Sequence, residues 1–169
     1  MTANYTKYIL NFKHPSGTSR GIMTHKETWL ITLEHGGHNG IGECGILRGL
    51  SIDDVPEFEE MLGWACLNIN LGLEFLLGKL KLFPSIQFGL ETAFKSLQNK
   101  NKFILFPSIF TTGKASIPIN GLIWMGSKNF MKSQIKNKIN QGFKCLKLKI
   151  GALDFETEID LLKFIRSEY

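Results

Sequence analysis

The sequence predicts an α+β unit over residues 1–112, followed over 113–169 by a β-α-β-α segment in the order of a parallel sheet or a barrel. Three patterns predict it. Residues 7–44 hold short runs of β-branched and aromatic residues separated by turn formers. Residues 51–97 repeat apolar residues at three- and four-residue spacing. Beyond Gly113 the two patterns alternate.

In the first part, Tyr8–Phe12, Thr28–Leu33 and Ile41–Cys44 read as strands, with His35–Gly40 as a turn, which together make a small antiparallel meander. Ser51–Asp54 resembles a helix entry, with Phe58, Met61, Leu62 and Ala65 as the buried stripe that follows. A further helix is expected after Pro84, with Ser85 able to cap it and Phe88, Leu90, Ala93, Phe94 and Leu97 facing inward.

In the second part, Ile117–Ile123 reads as a strand and a helix follows with Met131, Ile135 and Ile139 on one face, ended by Gly142. Phe143–Ile150 is the next strand. Asp154 caps a second helix, whose Phe155, Ile159, Leu162 and Ile165 line one side. This part is far shorter than the roughly 250 residues of a complete eight-stranded barrel. Arg166–Tyr169 stands where another strand is expected, so the chain reads as truncated.

Composition narrows the function classes. The chain has 169 residues, 43% of them hydrophobic, enough for one domain or a small domain plus part of another. Its formal charge of +5 is dispersed among acidic residues, and no nucleic-acid recognition motif is present, which argues against a nucleic-acid partner. The three cysteines are widely separated and lack metal-site spacing, so they read as reduced thiols. No run of 18 apolar residues and no basic-then-apolar leader occurs, so a soluble, cytoplasmic protein without a membrane partner is expected.

The most informative stretch is Phe143-Lys144-Cys145-Leu146-Lys147-Leu148-Lys149-Ile150-Gly151. Alternation puts Leu146, Leu148 and Ile150 on one face and Cys145, Lys147 and Lys149 on the other. An exposed antiparallel strand would simply solvate the lysines. A strand joined by helical crossovers is usually covered on both faces, and there two buried ammonium groups are costly unless they are used. Repulsion and desolvation both lower a lysine pKa, which makes it a proton acceptor near neutral pH. Lys149 is the better candidate for the base because it lies nearer the C-terminal end of the strand, where barrel active sites are built.

Two other motifs give way to plainer readings. Gly17-Thr18-Ser19-Arg20-Gly21 matches the G-x-S-x-G nucleophile elbow, but a strand rather than a helix follows it and no histidine occurs after His38. His35 and His38 could chelate a metal across Gly36-Gly37, yet two ligands on a hairpin tip without a third are turn residues.

Lys147-Leu148-Lys149 after an α+β unit resembles the KxK motif of the muconate-lactonizing branch of the enolase superfamily. Four further stretches, Pro15–Gly21, Gly42–Cys44, Pro84–Glu91 and Ile119–Gly126, look like o-succinylbenzoate synthases of the Bacteroidetes type, so the resemblance runs along essentially the whole chain. It implies an N-terminal capping domain at 1–112 and, at 113–169, the first two βα units of a TIM (β/α)8 barrel. The implied enzyme is a magnesium-dependent lyase of menaquinone biosynthesis. It would dehydrate a succinyl-hydroxycyclohexadiene carboxylate, a small-molecule substrate, to o-succinylbenzoate.

By the same resemblance Lys149 transfers the proton alpha to the carboxylate and Lys147 tunes it. The segment His14–Gly21 is a mobile loop whose Ser19 and Arg20 contact substrate, and Asn120, ending the first barrel strand, reaches the pocket rim. Glu43 has a structural hydrogen-bonding role. The family's magnesium ligands lie on later strands, so they are expected beyond Tyr169 and none in this chain. A dipeptide epimerase of the same superfamily, or a non-catalytic fragment, are the alternatives.

Overall fold

The structure is a computed structural model describing residues 1–18, 21–99, 101–151 and 153–168. It forms two compact units, one of residues 1–12 with 25–114 and the other of residues 13–24 with 115–169.

The chain's antiparallel sheet has the order β1-β2-β3, with β1 Thr2–Thr18, β2 Gly21–His35 and β3 His38–Gly45, and the first unit is built on its part outside residues 13–24. Strands β2 and β3 pair antiparallel from Thr28 opposite Gly45 to His35 opposite His38. Gly36 and Gly37 make the turn between them with φ of 58° and 78°. Two successive positive φ values suit a tight hairpin with the twist of its strands, and glycine adopts them at little steric cost. The strands outrun the predicted apolar runs because ladder pairing is a backbone property. The segment expected to be a mobile loop from His14 is therefore strand as far as Thr18, and β2 resumes at Gly21.

Trp29, Ile31 and Leu33 alternate on β2 and enter one core with Cys44, Ile46, Phe58, Leu62, Ala65, Leu76, Ile86, Leu90 and Ala93. The helices supplying it are α1 Phe58–Leu67, α2 Leu73–Lys79 and α3 Pro84–Gln98. Three sequence expectations fail here. Ser85, expected to cap α3, lies inside it, with Phe83 at the boundary. Ser51–Asp54 is a turn rather than a helix entry, and Ser51 Oγ accepts from Leu47 N–H at 2.9 Å. Phe88 is 60% exposed, because α3 turns its Ile86, Gly89, Leu90 and Ala93 face to the sheet.

Helix α3 lies close against β3. A Cβ on Gly42 would overlap the Gly89 carbonyl oxygen and come within 2.8 Å of the Ala93 nitrogen, while one on Gly89 would overlap Cys44 Sγ. Ser96 of α3 accepts from Ile41 N–H at 3.0 Å and donates to the Lys102 carbonyl at 2.7 Å. β3 is an edge strand, so this cover satisfies backbone that another chain could otherwise pair with. Cys44 and Cys66 are buried, and burial pushes their thiols up to about 12 and about 11.

The second unit contains β4 Gly121–Ile123, α4 Lys128–Asn140, β5 Leu146–Leu148 and α5 Phe155–Glu168. β4 and β5 are parallel, with Gly121 opposite Leu146, Leu122 opposite Lys147 and Ile123 opposite Leu148. Helix α4 starts at Ser127, whose Oγ accepts from Phe130 N–H at 3.3 Å, and closes at Gly142, whose N–H donates to the Ile139 carbonyl. Asp154 caps α5 by accepting from Thr157 N–H at 2.9 Å, and that bond holds its carboxyl below the usual carboxylate range.

Ile123, Met131, Ile135 and Leu161 form the core of this unit, with Leu146 and Leu148 packed against it. The predicted stripe on α5 is shifted. Leu161 is its buried centre, Phe164 and Ile165 join it, and Phe155 and Leu162 are exposed. Both strands are also shorter than predicted, and Ile150, expected beside Leu146 and Leu148, is 64% exposed beyond the end of β5.

Candidate active site

The parallel pair of strands defines a face opposite the second core. Lys147 is exposed between two leucines packed against that core, so its side chain leaves on the other side. Lys149 follows β5 by one residue, is exposed, and still donates its N–H to the Ile123 carbonyl at 3.5 Å. The burial expected for these lysines is not found, because two strands alone leave this face open to solvent. Cys145, expected on the same face, is exposed as well.

Trp124 stands level with Lys149 when the strand register is continued by one step. The Lys149 Nζ lies 5.4 Å from the centroid of its ring. The Trp124 backbone is held on both sides of its Cα by one side chain of α4. Gln134 Oε1 accepts from Trp124 N–H at 3.0 Å, and Gln134 Nε2 donates to the Trp124 carbonyl at 3.0 Å. In a parallel ladder alternate residues of a strand bond the same neighbour. Gly121 and Ile123 bond toward β5, so Trp124 turns its backbone away from it and the Gln134 amide supplies the partner. Sequence reasoning assigned Trp124 and Gln134 no role. The usable signal was positional, since Trp124 follows β4 as Lys149 follows β5.

The structure places Asn120 elsewhere. It is exposed and immediately precedes β4, whereas the sequence reading had it ending that strand. Because β4 and β5 run parallel, Asn120 is at one end of the pair and Lys149 at the other. Ser19 and Arg20 lie outside the described residues. Among the described residues no group of three or more His, Cys, Asp or Glu could hold a metal ion, so these side chains do not fit a magnesium site by themselves. Nor is any helix among them long and apolar enough to cross a membrane.

The first unit has its own charged cluster beside a cavity of about 330 Å³ lined by Trp29, Arg48, Asp54, Val55, Pro56, Phe58 and Glu59. Arg48 is bound there by Glu27 and by Asp54, the latter at 2.6 Å, and Lys7 also binds Glu27 at 2.6 Å. These cations are neutralised by carboxylates of the chain itself. Glu43 accepts from Thr28 Oγ1 at 2.8 Å and from Lys26 at 3.3 Å, and the Thr28 bond foremost lowers its pKa.

No family model matches the chain. Over its whole length it is 36% identical to the o-succinylbenzoate synthase of Desulfotalea psychrophila, of which it covers 54%. The crystal structure of MenC from Desulfotalea psychrophila matches it with a TM-score of 0.71 at 32% identity, over 100% of this chain and 53% of that one. The o-succinylbenzoate synthase of Thermosynechococcus elongatus, solved with magnesium in its active site, matches with a TM-score of 0.73 over 99% of this chain and 48% of that one. At 20% identity that match is a likeness of fold. The chain thus spans about half the length of the relatives it matches.

An antiparallel sheet with helices, followed by a parallel β-α-β-α segment carrying Lys147 and Lys149, is the fold class that this chain shares with about half of each of these solved structures. Within that class the chain resembles o-succinylbenzoate synthase from end to end.

Proposed function

We propose that this chain is the N-terminal half of an o-succinylbenzoate synthase, comprising a capping domain at 1–112 and the first two βα units of a (β/α)8 barrel at 113–169. The observation that carries the reading is the whole-chain identity of 36% to the Desulfotalea psychrophila enzyme. The exposed Lys147 and Lys149 at the C-terminal end of a parallel strand support it, since barrel chemistry gathers at that end.

In this reading Lys149 Nζ takes the proton alpha to the carboxylate of a succinyl-hydroxycyclohexadiene carboxylate. The C–O bond then breaks, and the ammonium returns the proton to the departing hydroxide. Water leaves and the ring becomes aromatic. Lys147 lies two residues before Lys149 and raises the local positive potential, which favours an anionic substrate and the enolate formed from it. Ser19 and Arg20 offer a hydroxyl and a planar fork of donors to the substrate carboxylate. Asn120 is left out of this assignment because of its place before β4. Magnesium would stabilise the developing negative charge, on ligands outside these 169 residues.

The test joins this chain to the second half of the Desulfotalea psychrophila enzyme and follows o-succinylbenzoate formation with magnesium present. Turnover is expected from the joined protein, and Lys149→Ala should lower kcat about 10²–10⁴-fold, the usual cost of losing a positioned general base. Near-normal kcat in a folded Lys149→Ala protein removes the reading. Epimerisation of dipeptides without dehydration replaces it with the epimerase.

A further inference from the structure

We propose that Trp124 is a positioning residue for Lys149, its ring serving as the seat on which the lysine side chain is held at the mouth of the strand pair, with Gln134 fixing the seat. The inference rests on the reading of Lys149 as the proton-transfer group.

Three observations converge on it. The ammonium lies over the ring, 5.4 Å from its centroid, within the distance at which an aromatic quadrupole attracts a cation. Lysine carries a long, flexible stem, and Lys149 is exposed, so a partner is needed to hold its head in one place. Trp124 is 43% exposed, which leaves its ring able to receive a side chain from the solvent side. Its backbone, by contrast, is tied by two 3.0 Å hydrogen bonds to a single amide.

That amide belongs to a residue in the middle of α4, between Met131 and Ile135, which are both buried in the second core. The chain of support therefore runs from packed core to helix, from helix to Gln134, from Gln134 to the Trp124 backbone, and from the ring to Lys149. Two backbone contacts to one planar amide leave the residue little freedom to rotate about the strand axis. Placement of a reacting group at this level matters, because a shift of about 1 Å can cost about 10²-fold in rate.

The first measurement uses the 169-residue chain and needs no turnover. Its lysines are reductively methylated with carbon-13 formaldehyde, which keeps their charge, and the Lys149 resonance is identified by its loss in Lys149→Arg. A methyl group seated on an indole face should show an upfield ring-current shift. Trp124→Leu should return that signal to the position of the other lysines, Trp124→Phe should keep part of the shift, and Gln134→Ala should reduce it. A Lys149 resonance among the unshifted lysines in the parent chain, or one unmoved by Trp124→Leu, overturns the proposal.

The second measurement uses the joined protein. Trp124→Leu should lower kcat by about 10- to 100-fold with KM nearly unchanged, and Trp124→Phe should restore much of the loss. Equal kcat in Trp124→Leu and the parent overturns the positioning role. If Lys149→Ala proves fully active while the ring-current shift stands, the failure lies in the assignment of Lys149 and not in the seat.

Discussion

Asp53 accepts a hydrogen bond from the Ser85 N–H at 2.7 Å and a second from the Ser85 hydroxyl at 3.1 Å, so a residue 32 positions earlier in the chain caps the start of α3. The carboxyl is buried, and Phe83 at the helix boundary makes no side-chain cap bond of its own. Asp53→Ala should destabilise the first unit by about 1–2 kcal/mol, the usual cost of losing a helix cap. Asp53→Asn, which keeps an acceptor, should cost less. Urea denaturation followed by far-ultraviolet circular dichroism measures both, and an unchanged midpoint in Asp53→Ala would refute the capping role.

Gly42 at the contact between β3 and α3, and Gly63 inside α1, make opposite predictions. Gly42→Ala pushes a methyl into the Gly89 carbonyl and should destabilise by about 1–3 kcal/mol, as overpacking does. Gly63, inside α1, has only a Tyr5 ring carbon at 3.8 Å from where its Cβ would be. Gly63→Ala should therefore stabilise by about 0.5–1 kcal/mol through helix propensity. Thermal melts of the two variants should move in opposite directions.

Acid should weaken the first unit through Glu27. Its hydrogen bond from Lys7 first, and those from Arg48 next, hold its carboxyl below the ordinary value of 4.5. The unfolded chain thus takes up the proton before the folded one. Glu27 contributes its full stabilisation above about pH 4.5, and that contribution is lost as pH falls through the lowered folded value. Asp54 and Glu43 are shifted in the same direction. Urea midpoints measured between neutral and acid pH should fall as pH is lowered, and Glu27→Gln should flatten the fall. An equally steep fall in that variant would assign it to other groups.

In the joined protein, Lys147→Ala and Arg20→Ala should separate along different kinetic axes. Lys147→Ala should lower kcat by less than Lys149→Ala, because Lys147 acts on the charge around the reaction and takes no proton itself. Arg20→Ala should raise KM with kcat nearly kept, the pattern of a lost uniform binding contact. An Arg20→Ala protein with unchanged KM would remove the proposed carboxylate contact.

Local patterns in the sequence determined the strands of the meander, the stripe of Met131, Ile135 and Ile139, the Asp154 cap, the end of α4 at Gly142, and the opposition of Lys147 to Leu146 and Leu148. Each depends on neighbours a few positions apart, where backbone geometry dictates which side chains share a face. The tertiary structure decided what depends on distant residues. It set that the Gly89 face of α3 meets Gly42 of β3, leaving Phe88 outside, and it made Asp53 a cap for a helix 32 positions away. It centred the stripe of α5 on Leu161. Parallel register put Trp124 level with Lys149 and Asn120 at the other end of the strands. Register is a relation between two segments, set by how their helices pack, and no periodicity within either segment carries it.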